Sequence, residues 1–229
     1  MLRPKKKISK RDLKEDTLIT TYVKLTSFYE EHKRNISIAV TVLVVAVFAV
    51  VIFFKNRAEN NEKAVTALGA IFELYDAGQF QPAVDGIPEK NILGLKAIVD
   101  NYGGSAGGEL ARFYLAGAYF QLGRYDEALK AYEDYSPSGE LLSVARLSGI
   151  GSCYETKGMF KDAAVSFEKA ATQYPKDISA AENLNSAARD YGQAGDREKA
   201  IELYKRIKKN FPTTAFARDA DRFIAQLSV

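Results

Sequence analysis

Residues 150–175 read IGSCYETKGMFKDAAVSFEKAATQYP, and this stretch decides the fold. Small residues and aromatics recur on helical spacing on either side of Gly158, and Pro175 closes the segment. The pattern predicts two helices back to back, with a glycine where the first must end and a proline where the second must stop. Moving outward, residues 115–132 (LAGAYFQLGRYDEALKAY) and residues 187–212 (AARDYGQAGDREKAIELYKRIKKNFP) fall into the same register when Gly123, Gly158 and Gly195 are aligned. The glycines lie 35 and 37 residues apart, a period that marks stacked helical hairpins rather than one independent globule.

Each recurring position has a physical reading. Ala116, Gly151 and Ala188 on the first helices, with Ala128, Ala163 and Ala200 on the second, let paired backbones approach closely. Tyr119, Tyr154 and Tyr191 are expected to fill the gap between neighbouring hairpins. Small, Tyr, Gly, Ala, aromatic and Pro positions together resemble tetratricopeptide repeats. That resemblance implies an all-α solenoid of about three regular repeats. Arg197 stands where Tyr125 and Phe160 stand in the other two turns, so the third turn should pack less tightly. Ala64 to Tyr75, Gly78 and Phe80, then Leu95, Ile98, Tyr102 and Gly103, suggest an irregular N-terminal repeat interrupted by sequence containing Pro82, Gly86 and Pro88. Gly103 to Gly108 lacks the Lys-Ser/Thr of a phosphate loop and reads as a turn between repeats. Phe216, Ala220, Phe223, Ile224 and Leu227 form a candidate terminal capping helix.

Ahead of the repeats, residues 36–54 run ISIAVTVLVVAVFAVVIFF, nineteen residues without a charge, proline or glycine. As a helix this spans roughly 28 Å, close to the ~30 Å hydrocarbon core of a bilayer. The expected organisation is therefore a basic tail over 1–34, a single transmembrane helix over 35–55, and a soluble repeat domain over 56–229. Residues 56–62 read as the link into that domain. Residues 1–34 hold ten Lys and Arg against five Asp and Glu, leaving 22 basic and 24 acidic side chains beyond them. Lysine and arginine resist translocation, so the tail is expected in the cytoplasm and the domain across the membrane. Within the tail, Leu18, Tyr22, Leu25 and Tyr29 recur at helical spacing, the signature of an amphipathic helix.

Composition excludes several classes of activity. One cysteine, Cys153, and one histidine, His32, cannot build an ordinary zinc cluster or a Ser-His-Asp or Cys-His apparatus. The slightly acidic domain lacks the electrostatic footprint that nucleic-acid binding needs. The chain is thus expected to be no enzyme, to use no cofactor or metal, and to take no small-molecule substrate. By repeat register the face built from first helices carries Phe113, Phe120, Ser148, Ser152, Glu155, Asn185 and Arg189, the expected partner-binding groove. Tetratricopeptide repeats that capture a C-terminal carboxylate carry Lys and Asn at matching positions. Here those positions hold Phe113 with Gly117 and Ser148 with Ser152, which disfavours such a clamp.

The whole layout, a basic tail, an uncleaved anchor and a short repeat array, resembles the bacterial YfgM-like proteins. The resemblance implies a single-pass inner-membrane protein with a periplasmic domain, acting as an ancillary, chaperone-like subunit beside the Sec translocon. Its protein partners would then be Sec subunits or translocating clients. Two other readings stay open: a structural adaptor of another membrane or envelope complex, and an organellar receptor with cytosolic repeats.

Overall fold

The computed structural model describes the backbone of residues 10–228 and the side chains of residues 19–228. The tail residues Arg3, Lys5, Lys6 and Lys7, and the Leu18 side chain of the expected amphipathic stripe, lie outside what is described. The described chain forms two compact units, residues 1–56 and 57–229. Helix α1 (Lys10–Asp76) contributes to both.

The first unit is helical over its described length. Its apolar side chains from Ile38 to Phe54 are 46 to 65 % exposed, and Tyr22, Leu25 and Tyr29 of the tail stripe are exposed as well. This is the one helix among the described residues long and apolar enough to cross a membrane. Its apolar surface covers every face, whereas a core helix would bury one.

The second unit is a stack of helical hairpins. The end of α1 pairs with a second helix split into α2 (Phe80–Asp85) and α3 (Leu95–Tyr102). Regular hairpins follow: α4 (Ala106–Gln121) with α5 (Tyr125–Asp134), α6 (Glu140–Thr156) with α7 (Phe160–Gln173), and α8 (Ala180–Gln193) with α9 (Arg197–Asn210). Helix α10 (Ala215–Leu227) closes the array. The fold is the all-α, TPR-like solenoid that the period predicts, with the irregular first repeat and the terminal cap in their expected places.

The insertion between α2 and α3 is short and locally determined. Gly86, at φ 85°, ends α2, and β1 (Gly86–Ile87) pairs antiparallel with β2 (Ile92–Leu93) across a 3-10 turn at Pro88–Lys90. The link expected at residues 56–62 is helical. It also makes a specific contact, because Asn61 Oδ1 accepts a hydrogen bond from the Gly107 amide at 2.7 Å and holds α1 to the start of α4. Polar composition alone does not distinguish an exposed helix from a loop, so this helical form was not specified by the sequence reading. Ser105 accepts from the Gly108 amide at 3.1 Å, so the glycine-rich stretch includes the capped first turn of α4 as well as the turn before it.

All four hairpin turns use one device. Gly78, Gly123, Gly158 and Gly195 have φ between 70° and 85°. At Gly158 the glycine amide bonds the Glu155 carbonyl and the Met159 amide bonds the Tyr154 carbonyl, each at 2.9 Å, the paired pattern of a Schellman motif. The third turn differs as expected, for Arg197 is exposed while Tyr125 and Phe160 are half-buried. Asp196 caps α9 there by accepting from the Lys199 amide.

Packing follows the small residues. Ala116, Ala128, Ala163, Ala188 and Ala200 are fully buried. A Cβ on Gly151 would stand 2.9 Å from the Phe167 ring of the paired helix, so only glycine permits that approach. The buried residues form one large core over α1 to α5 that also takes in Ile150 and Cys153 of α6, another over α7 to α10, and a small cluster of Val144 and Leu147 of α6 with Ala170 of α7. Tyr154 packs against both large cores while remaining half-buried, and its hydroxyl donates to Glu133 at 3.4 Å. Tyr191 repeats the arrangement one hairpin later, donating to Glu168 at 2.8 Å.

Candidate functional site

The face of the solenoid built from first helices contains a cleft between α6 and α8. The register of both helices turns Ser148, Ser152 and Glu155 toward α8, and the loop before α8 supplies Asp177 and Ile178. The resulting space is about 390 Å³, a volume suited to one or two side chains of a partner rather than a whole helix. Val144 and Phe167, both buried, form its apolar floor. Leu141 is 69 % exposed and Ile178 97 % exposed at its edge.

Two contacts tie the helices together across the cleft. Ser148 Oγ donates to Asn183 Oδ1 at 2.7 Å, and the Asn183 amide donates to Ser179 Oγ at 3.1 Å, so this buried amide is satisfied. Arg189 Nη2 donates to Glu155 Oε1 at 2.6 Å. Behind this pair sits Asp190, whose carboxylate is fully buried and has no hydrogen-bond partner among the described residues. The Arg189 Nε lies 3.6 Å from Asp190 Oδ1, near enough for attraction but too long for a hydrogen bond. Burial, and then the neighbouring Glu155 charge, push the Asp190 carboxyl up to about 6, against the smaller opposing pull of Arg189. One guanidinium thus serves two carboxylates.

Of the seven groove residues expected from sequence, Ser148, Ser152 and Glu155 line this cleft, and Arg189 stands outside the lining, paired with Glu155. Asn185 is half-buried on α8. Phe113 and Phe120 lie elsewhere. Phe113 packs on Tyr132 and Tyr135 with ring centroids 5.8 and 5.5 Å apart, and Phe120 on Tyr125 at 5.3 Å, both partly buried against the N-terminal core. Internal packing already accounts for much of their surface. Sequence reading missed Leu141, Asp177, Ile178, Asn183 and Glu182. Glu182 was within reach, since it precedes Asn185 by three positions and so shares its helix face. Asp177 and Ile178 occupy a loop, where helical register has nothing to say.

A larger cleft of about 550 Å³ lies between α1 and the β1–β2 insertion. It contains none of the expected residues, and its lysine, Lys63, is paired with Glu59 at 2.8 Å. Cys153 is buried, which raises its thiol to about 11 and leaves little of the reactive thiolate at neutral pH. No group of three or more potential metal ligands occurs among the described residues.

This architecture defines a class, the short helical-repeat scaffold whose activity is protein–protein interaction. Comparison with known proteins agrees. The tetratricopeptide repeat family model matches residues 110–135 and 186–214, the α4–α5 and α8–α9 hairpins. Among solved structures, the chain is similar to a protein from Podosopora anserina described as a kinesin light chain with nearly identical TPR-like repeats, and to a single-substitution variant of that same protein. Each gives a TM-score of 0.53 at 16% identity, covering 71% of this chain and 83% of the other. At that identity the likeness concerns the fold. No curated protein matches the sequence.

Proposed function

We propose that this chain is a membrane-anchored recruiting subunit, which holds a protein-interaction module at a bilayer and receives partner segments in the α6–α8 cleft. The cleft carries the reading, because it combines an apolar floor, exposed apolar edges and polar groups converging from two first helices. The anchor is supported by a run of nineteen residues without a charge, whose large apolar side chains from Ile38 to Phe54 are exposed. With the basic tail in the cytoplasm, the repeats face the periplasm of a bacterial inner membrane. There the YfgM-like layout suggests an ancillary, chaperone-like role beside the Sec translocon.

Photocrosslinkers placed at Ser152 and Ser186, both lining the cleft, in living cells test this, with Lys169, exposed on α7, as the comparison position. Crosslinks to Sec subunits or emerging chains from the first two sites alone are the expected result. Crosslinks to a different stoichiometric complex would make the protein a structural adaptor. Crosslinking from Lys169 alone would place recognition off this cleft.

A further inference from the structure

The cleft has a charge as well as a shape. Its lining includes three carboxylates, Glu155, Asp177 and Glu182, and no lysine or arginine. Glu155 is paired with Arg189, but Arg189 is also drawn toward the buried, unpartnered Asp190, so the neighbourhood keeps a net negative charge. Asp177 accepts through Oδ1 from the Ser179 amide and hydroxyl at 2.8 and 2.6 Å, and its other oxygen has no protein partner among the described residues. Glu182 is exposed and makes no hydrogen bond or ion pair among the described residues. The nearby cations are occupied or outside the cleft. Arg146 donates to the Tyr132 and Glu133 carbonyls of the preceding hairpin, and Lys176 does not line the space.

Two further features restrict what fits. Leu141 and Ile178 present aliphatic surface at the edge, and Ile178 touches almost nothing of its own chain. The carboxylates stand beside this aliphatic surface rather than apart from it. From this juxtaposition we infer that the cleft recognises an extended basic peptide segment, one that sets an aliphatic side chain against Leu141 and Ile178 and a lysine or arginine against Glu182 and Asp177. The inference rests on the cleft being the recognition face. It adds the chemical class of the partner, whose positive charge complements the lining and speeds encounter while acidic segments are repelled. The aliphatic anchor supplies contact area that charge alone would not.

The test uses the full chain in phosphatidylcholine nanodiscs, screened against a random-peptide phage library with empty nanodiscs as the background. Enriched peptides should carry Lys or Arg within two residues of Leu, Ile or Val. Their binding should fall about tenfold or more in Glu182→Lys and in Leu141→Asp, and should weaken between about 50 and about 300 mM salt. Glu198→Lys, an exposed reversal on α9 with the same change in net charge, should leave binding within about twofold. Enrichment of acidic or uncharged peptides overturns the inference, as does an equal loss in Glu198→Lys or no enrichment over empty nanodiscs. If crosslinks from Ser152 form in cells while non-basic peptides enrich, the recruiting role stands and the basic-partner assignment falls. Failure of both experiments removes both.

Discussion

Gly158 and Gly149 show two different reasons for a glycine, and substitutions separate them. At Gly158, φ is 73° and no atom lies within 4 Å of where a Cβ would be, so the constraint is backbone strain alone. Gly158→Val should cost about 1–3 kcal/mol, and Gly158→Asn distinctly less, because asparagine tolerates the left-handed region. Gly149 has ordinary helical φ, but its Cβ would stand 2.5 to 2.8 Å from the Tyr132 ring. Even Gly149→Ala should therefore destabilise by about 1–3 kcal/mol through overpacking. Thermal unfolding followed by circular dichroism in detergent checks both. Asp190 supplies a third residue-scale test. Its carboxyl is raised from an ordinary 3.8 to about 6, so the folded chain takes up the proton before the unfolded chain does. Its contribution to stability is therefore least favourable above pH 6 and improves as pH falls from there toward 4. The facing charged and titratable groups are Glu155 on α6, Arg189 beside it and Tyr204 on α9. Asp190→Asn should stabilise at pH 7.5 by up to about 3 kcal/mol, with the advantage over the parent shrinking below pH 6. An advantage that stays constant from pH 7.5 to 4.5 would show that ionisation is not the cause.

At the scale of elements, α6 is the joint of the solenoid. It contributes Ile150 and Cys153 to one core, carries Tyr154 against both, and admits Tyr132 and Phe167 on either side only because positions 149 and 151 are glycine. Stacked repeats gain their cooperativity from such nearest-neighbour interfaces. Because Tyr154 is half-buried, Tyr154→Ala should cost about 1–2 kcal/mol, less than a fully buried ring would. Its larger effect should be on coupling. Amide exchange should report similar protection for α4 and α9 in the parent and a divergence between them in the variant, whereas parallel loss at both would show that Tyr154 does not link the two cores. The regular hairpins were legible in sequence because each position is dictated by its neighbour in the same repeat. Gly123, Gly158 and Gly195 predict one another. The first repeat was less legible, since the split into α2 and α3 depends on local features, Gly86 and the turn at Pro88–Lys90, that belong to no period. The contact that fastens the link at residues 56–62, Asn61 to Gly107, was not legible because it joins positions 46 apart. The candidate site was legible to the same extent as the helices: Ser148, Ser152 and Glu155 of the lining, with Arg189 beside them, follow from register, while Asp177 and Ile178 follow only from how the loop lies.

For the whole molecule, the proposed anchor poses the question of which side of a membrane would receive the cleft, and charge gives a directional expectation. The residues bordering the apolar run are balanced, with Lys24, Lys33 and Arg34 before it and Lys55, Arg57 and Lys63 after it. The balance is broken by seven further basic residues at positions 3, 5, 6, 7, 10, 11 and 14, all of which would have to cross if the N-terminus were outside. Each charge retained on the cytoplasmic side also gains from anionic lipid, by about 1 kcal/mol when it lies near the surface. The charges of the repeat domain do not set the direction, since long domains translocate largely regardless of charge. Protease added to spheroplasts should therefore degrade an epitope at the C-terminus and spare one on the N-terminal tail, with both degraded after lysis. Replacing the seven basic residues by glutamine should produce a mixed population, because only the balanced flanks would then remain to set direction. Protection of the C-terminal epitope in the parent would reverse the orientation. It would move the cleft to the cytosol, exclude the periplasmic role, and leave the fold and the peptide-binding test untouched.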